Sequence, residues 1–170
     1  ERAKMAKAPF NLEAYKKSLG IKEVKGEEGF STNERTGIRP TFDVCGIWAG
    51  YTGEGTKTVL PSVAHAKVSC RLVPNQKHEK IAELFKNYFE SVAPDYVTVK
   101  VTYLHGGPSY VCPIDLPAYQ AAEKAYEKVY GKQPVPVRSG GSIPIIATFE
   151  EVLGVKSVLM GFGLGSDAIH

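Results

Sequence analysis

From Ala64 to Leu72 the even positions Ala64, Ala66, Val68, Cys70 and Leu72 are apolar, while the odd positions His65, Lys67, Ser69 and Arg71 are polar. A period of two puts each set on its own side of an extended chain, so this stretch is expected to form a half-buried strand with one polar face. Ile81, Leu84, Phe85, Tyr88 and Phe89 then recur at spacings of three and four, which predicts an amphipathic helix over residues 77–91. Val97, Val99, Val101 and Tyr103 alternate with polar residues and read as another strand. Upstream, Thr41 to Gly50 supplies a further strand, followed by a glycine-rich turn to Thr56. Strand, helix and strand over ~40 residues make one βαβ unit or a piece of a split one. Residues 41–106 are therefore expected to be a two-layer α/β sandwich.

The flanks differ from this segment. In residues 1–40, Asn11 can cap a short helix whose apolar positions Leu12, Tyr15 and Leu19 share a face, and Gly20 ends it. The polar run GEEGFSTNERTG that follows reads as a surface loop, and the whole stretch as a peripheral linker. In residues 107–170, Asp115 precedes a helix through Ala118, Ala122, Ala125 and Val129, with Gly131 as its stop. Ser142 and Pro144 open a second helix that runs to Leu153 and closes at Gly154. Lys156 to Met160 is a short apolar strand. Helices alternating with short apolar strands suggest a partial α/β domain built on a mostly parallel sheet.

Composition narrows the function classes. The 21 basic residues are interleaved with 18 acidic ones for a net charge of +3. No basic stripe with interleaved aromatics forms, so a nucleic-acid partner is not expected. No apolar run approaches the roughly 20 residues that span a bilayer, and the basic start has no apolar stretch behind it, so no membrane association or signal peptide is read. Cys45, Cys70 and Cys112 form neither a disulfide framework nor a CxxC knuckle, which points to a reducing, cytoplasmic compartment.

The candidate chemistry is sparse when each residue is taken alone. His170 follows Asp167 in a glycine-rich loop after an expected strand, where a neutral imidazole could ligate zinc. No HExxH motif or cysteine cluster stands beside it, so a surface histidine is the ordinary reading. Arg138-Ser-Gly-Gly-Ser-Ile-Pro144 places glycines before a helix start, whose free first-turn N–H groups suit a carboxylate or phosphate as readily as a plain cap. Arg71 ends the polar face of its strand, and its guanidinium fork suits a substrate carboxylate, though a solvated face explains it too. Thr58 and His105 sit at a strand start and a strand end, and either could be an ordinary loop polar residue. There is no GxSxG elbow, P-loop or GxGxxG.

Taken in order, GEEGFSTNERTGIRPT, GYTGEGTKTVLP, AKVSCRLVPNQ, HGGPSY, RSGGSIPI and GFGLGSDAIH resemble one family. It is the co-catalytic zinc peptidases that include carnosine-type dipeptidases, glutamate carboxypeptidase, acetylornithine deacetylase and succinyl-diaminopimelate desuccinylase, and the dipeptidase-like branch is the nearest. The resemblance implies a two-metal catalytic domain with an inserted lid domain that forms a homodimer. Residues 41–106 would be the second part of the lid and residues 107–170 part of the catalytic domain. His170 matches the family's last metal ligand. Thr58, Arg71, His105 and Ser142 match substrate-binding positions, with Arg71 holding the substrate carboxylate and His105 polarising the scissile carbonyl or its oxyanion. The substrate implied is a small peptide or N-acyl amino acid. The metal is zinc, with manganese or cobalt also compatible with such ligands.

The family's His-x-Asp motif, bridging aspartate, Glu-Glu pair and remaining carboxylate ligand have no counterpart here. The chain therefore reads as a portion of such an enzyme, inactive by itself and unable to retain metal. The alternative is a non-catalytic dimerisation or small-molecule-binding α/β module, pairing through an exposed strand edge.

Overall fold

The computed structural model describes residues 2–140, 143–164 and 167. Six helices and two strands run along it: α1 (Arg2–Met5), α2 (Leu12–Leu19), α3 (Thr32–Ile38), β1 (Asp43–Ala49), β2 (Ala64–Ser69), α4 (His78–Ser91), α5 (Pro117–Tyr130) and α6 (Pro144–Leu153). The class is mixed α/β, as the patterning predicts.

Helix ends follow local sequence chemistry. Asn11 caps α2 by accepting the Ala14 N–H at 2.9 Å, and Gly20 closes it in the left-handed region at φ 66°. Gly131 and Gly154 end α5 and α6 in the same conformation, and Pro opens both helices. These three helices fall where the sequence places them, and α4 begins one residue after its expected start.

β1 and β2 form a two-stranded antiparallel sheet with Asp43 opposite Ser69 and Ala49 opposite Ala64. A register shift between Val44 and Gly46 leaves Cys45 as a bulge. Trp48 lies opposite His65, their rings 5.0 Å apart and 17° from parallel, with the Lys67 ammonium 5.9 Å from the Trp48 ring. The odd positions of β2 thus lie on one side with Trp48, but the opposite side is not the half-buried face expected. Ala64 and Ala66 are exposed, only Val68 is half-buried, and the strand ends at Ser69 rather than Leu72. Phe42, just before β1, stacks on Phe85 and Phe89 of α4 at 5.7 and 6.4 Å, joining helix layer to sheet.

Further expectations are corrected. The run GEEGFSTNERTG is not all loop, because Ser31 and Glu34 form a capping box that starts α3. Residues 97–103 are not a strand: Val99 and Val101 are half-buried around exposed Lys100, but Val97 and Tyr103, expected on the same inward side, are exposed. Lys156–Met160, with adjacent Ser157 and Val158 half-buried, is not a strand either. Alternation specifies which side faces inward, whereas a strand needs a neighbouring backbone, and among the described residues neither segment has one. The βαβ unit and the mostly parallel sheet are consequently absent among the described residues, where the only ladder is antiparallel.

Met5 and Glu34, at the contact of α1 and α3, are 2% and 8% exposed, and Ala147 in α6 is 9% exposed. Glu34 accepts the Arg2 Nε–H at 2.6 Å and the Ser31 N–H at 2.7 Å. These charge-assisted bonds hold its carboxyl far below the ordinary range, at about 2, the Arg2 bond contributing most.

Candidate functional site

Arg71 stands two residues past β2, where its backbone is tied to Thr41. The Thr41 N–H donates to the Arg71 carbonyl at 3.0 Å, and the Arg71 N–H donates to Thr41 Oγ1 at 3.1 Å. The Thr41 hydroxyl in turn donates to Asp43 Oδ2 at 2.5 Å. With its backbone fixed, Arg71 lines a cleft of about 600 Å³. Its guanidinium has no hydrogen bond or ion pair among the described residues.

The cleft lies where three parts of the chain meet. One wall is the end of α3 and the following residues Arg39, Thr41 and Asp43; another is Leu72–Pro74 beside Arg71; the third is Ser109–Val111 with Arg138–Gly140 and Ile143. Arg39 is already committed, since its Nε and Nη2 donate to the two Glu27 carboxylate oxygens at 2.6 and 2.7 Å. Its guanidinium also lies 4.5 Å from the Phe30 ring centre. The Arg39 hydrogen bond lowers the Glu27 carboxyl and raises Arg39 itself. Tyr110 fixes the third wall: its hydroxyl donates to the Ser157 carbonyl at 2.7 Å and accepts the Ser157 N–H at 2.9 Å. Desolvation pushes the Tyr110 phenol up.

The other residues singled out from sequence are dispersed. Thr58 is exposed in the loop between β1 and β2, and His105 is exposed in the segment after Tyr103; neither lines the cleft. The His105 segment is nonetheless held on both sides. A Cβ on Gly106 would fall 2.9 Å from His78 Cβ, at the start of α4, and one on Gly107 would fall 2.9 Å from Pro144 Cβ, at the start of α6. His78 Nδ1 and the Tyr103 hydroxyl share a hydrogen bond at 2.7 Å. Ser142 and His170 lie outside the described residues. Among the described residues, no group of three or more His, Cys, Asp or Glu is arranged to hold a metal ion. Among the described residues, no helix is long and apolar enough to cross a membrane.

Sequence reasoning missed Arg39, Thr41, Asp43 and Tyr110 as cleft residues. Only the Thr-x-Asp spacing hinted at a side-chain link, and nothing in sequence joins Tyr110 to Ser157.

The model of the M20 peptidase dimerisation domain matches residues 3–97. The chain belongs to this family. Among proteins similar to it, the Cys-Gly metallodipeptidase Dug1 of Schizosaccharomyces pombe is 35% identical over 134 residues, covering 77% of this chain and 28% of that protein. Human beta-Ala-His dipeptidase is 28% identical over 169 residues, covering 94% of this chain and 32% of that protein. The solved dipeptidase Dug1p of Saccharomyces cerevisiae superposes with a TM-score of 0.80 at 27% identity, over 98% of this chain and 36% of the other. The M20 metallo-carboxypeptidase of Sulfolobus solfataricus gives a TM-score of 0.74 at 32% identity, over 92% of this chain and 35% of the other. The chain thus spans about a third of the length of these relatives.

Proposed function

We propose that this chain serves as the dimerisation unit and part of the substrate cleft of a metal-dependent dipeptidase. Its substrate is a dipeptide or similar N-acyl amino acid, and Arg71 binds the terminal carboxylate. The observation that carries this reading is the Arg71 guanidinium, on a backbone pinned by Thr41, lining the cleft with no partner among the described residues. A planar fork of donors matches a carboxylate with two parallel bonds, each charge-assisted.

The remaining assignments belong to the same proposal. Residues 41–106 act as the lid and dimerisation segment of a homodimer, and residues 107–170 as catalytic-domain sequence. Thr58, His105 and Ser142 are further substrate contacts on the strength of the resemblance alone, with His105 polarising the carbonyl. Thr58 and His105 lie outside the Arg71 cleft of this chain and would have to reach substrate from elsewhere in the assembled enzyme. His170 is this chain's ligand to the metal, with zinc ahead of manganese or cobalt. The described residues do not themselves fit a metal centre, so what they supply is binding and orientation. The three free cysteines, Cys45 exposed and Cys70 and Cys112 half-buried, suit a cytoplasmic setting.

The test compares Arg71→Ala with Lys67→Ala, which lies on the same strand face. Binding of glycylglycine, followed by amide chemical shifts, should weaken about tenfold or more in Arg71→Ala, the loss of a charged hydrogen-bonded pair. Lys67→Ala should bind as the parent does. Equal, small changes in both would remove Arg71 from the site.

A further inference from the structure

The two sides of the cleft are joined by a contact that only glycine permits. Gly37, in α3, faces the segment Arg138–Gly140 so closely that a Cβ on it would lie 2.6 Å from the Arg138 carbonyl oxygen and 2.6 Å from Met5 Cε. Gly140 approaches α3 from the other side, and a Cβ there would collide with the Thr36 carbonyl oxygen. The approach is bonded as well as close. The Gly140 N–H donates to the Thr36 carbonyl at 3.0 Å, and the Arg138 N–H points at Met5 Sδ, 3.4 Å away. Met5, beneath this junction, is among the most buried residues described, at 2% exposure.

Neither glycine is explained by its own backbone. Gly37 sits inside a helix, where alanine is intrinsically preferred by ~1 kcal/mol, and neither residue has a positive φ. Close packing of backbone on backbone is the remaining reason for a glycine at either position. The contact joins the α3 wall, which runs on through Arg39 and Thr41 to the tie on Arg71, to the wall that opens α6. Moving one wall changes where a carboxylate held by Arg71 meets the other.

We infer that Gly37 and Gly140 are positioning residues for carboxylate binding in this cleft. They set the separation of its walls and act through Arg71 rather than by touching the ligand. The inference rests on the reading of Arg71 as the carboxylate clamp, and the experiment separates the two.

Glycylglycine and its C-terminal amide are titrated into the parent chain, Gly37→Ala, Gly140→Ala, Met5→Leu and the control Gly161→Ala, where a Cβ would meet open space. The parent should prefer the carboxylate over the amide. The two junction variants should lose about tenfold of that preference, since a displacement near 1 Å costs up to ~10²-fold in positioned interactions. The β1 and β2 amide resonances should stay in place, and the control should keep the preference. A merely structural role would weaken both ligands together and leave their ratio unchanged. Met5→Leu keeps the volume and removes the sulfur acceptor; it should shift the ratio the same way, and it decides the matter if the alanine variants do not fold. Parental ratios in the junction variants, with the preference present in the parent, would overturn the positioning role alone. No preference in the parent would overturn the Arg71 reading and this inference together.

Discussion

Phe42→Ala should separate the helix layer from the sheet. Phe42 precedes β1 and reaches across to Phe85 and Phe89 of α4. It remains 53% exposed, so about half of its surface is removed from water. Full burial of a phenylalanine is worth ~1.5–3 kcal/mol, so half contributes about 1 kcal/mol. Each stacked ring pair adds ~0.5–1.5 kcal/mol beyond area. The total is ~2–4 kcal/mol, which for a chain of this size lowers the melting temperature by roughly 5–15 °C. Thermal unfolding followed by circular dichroism measures it, with Leu60→Ala as the comparison. Leu60 is 93% exposed and its truncation should change stability by no more than ~0.5 kcal/mol. Equal melting temperatures for the two variants would refute the argument that Phe42 ties the layers together.

Glu34 gives a pH signature. Its folded value of about 2 lies below the ordinary 4.5, so its stabilisation is complete above pH 4.5 and is lost as pH falls from 4.5 toward 2. Acid unfolding curves of the parent and Glu34→Gln should therefore converge across that window, and parallel curves would contradict the Arg2–Glu34 link. Tyr110→Phe strips two bonds from Ser157 at once and should cost ~1–3 kcal/mol in urea unfolding; a loss within error would show that this tether is idle. Sedimentation equilibrium should give a mass twice the 18.5 kDa of one chain, while a monomer at high concentration would remove the homodimer from the proposal.

What sequence made legible was local. The caps at Asn11, Gly131 and Gly154 and the spacing in α4 are decided within a turn or two, so they read directly. The capping box of α3 was equally local, Ser31 with Glu34, but Gly37, Thr32 and Asn33 are poor helix formers and masked it. Residues 97–103 show the opposite failure: the alternation is real, yet pairing depends on backbone from elsewhere. At the site, Arg71 stood out because it ends a polar strand face. Thr41, Arg39 and Tyr110 join it only through contacts spanning tens of residues, which no periodicity records. Thr58 and His105 were singled out by resemblance, and the described geometry leaves both outside the cleft.

The most direct test of the account follows the Arg71 Nε–H resonance in isotopically labelled chain during titration with glycylglycine. The account requires that this resonance shift saturably with ligand, and that the C-terminal amide of the same dipeptide leave it nearly unmoved. An Arg71 signal indifferent to the carboxylate, with shifts appearing elsewhere on the chain, would contradict the assignment of the cleft as the place where substrate is held.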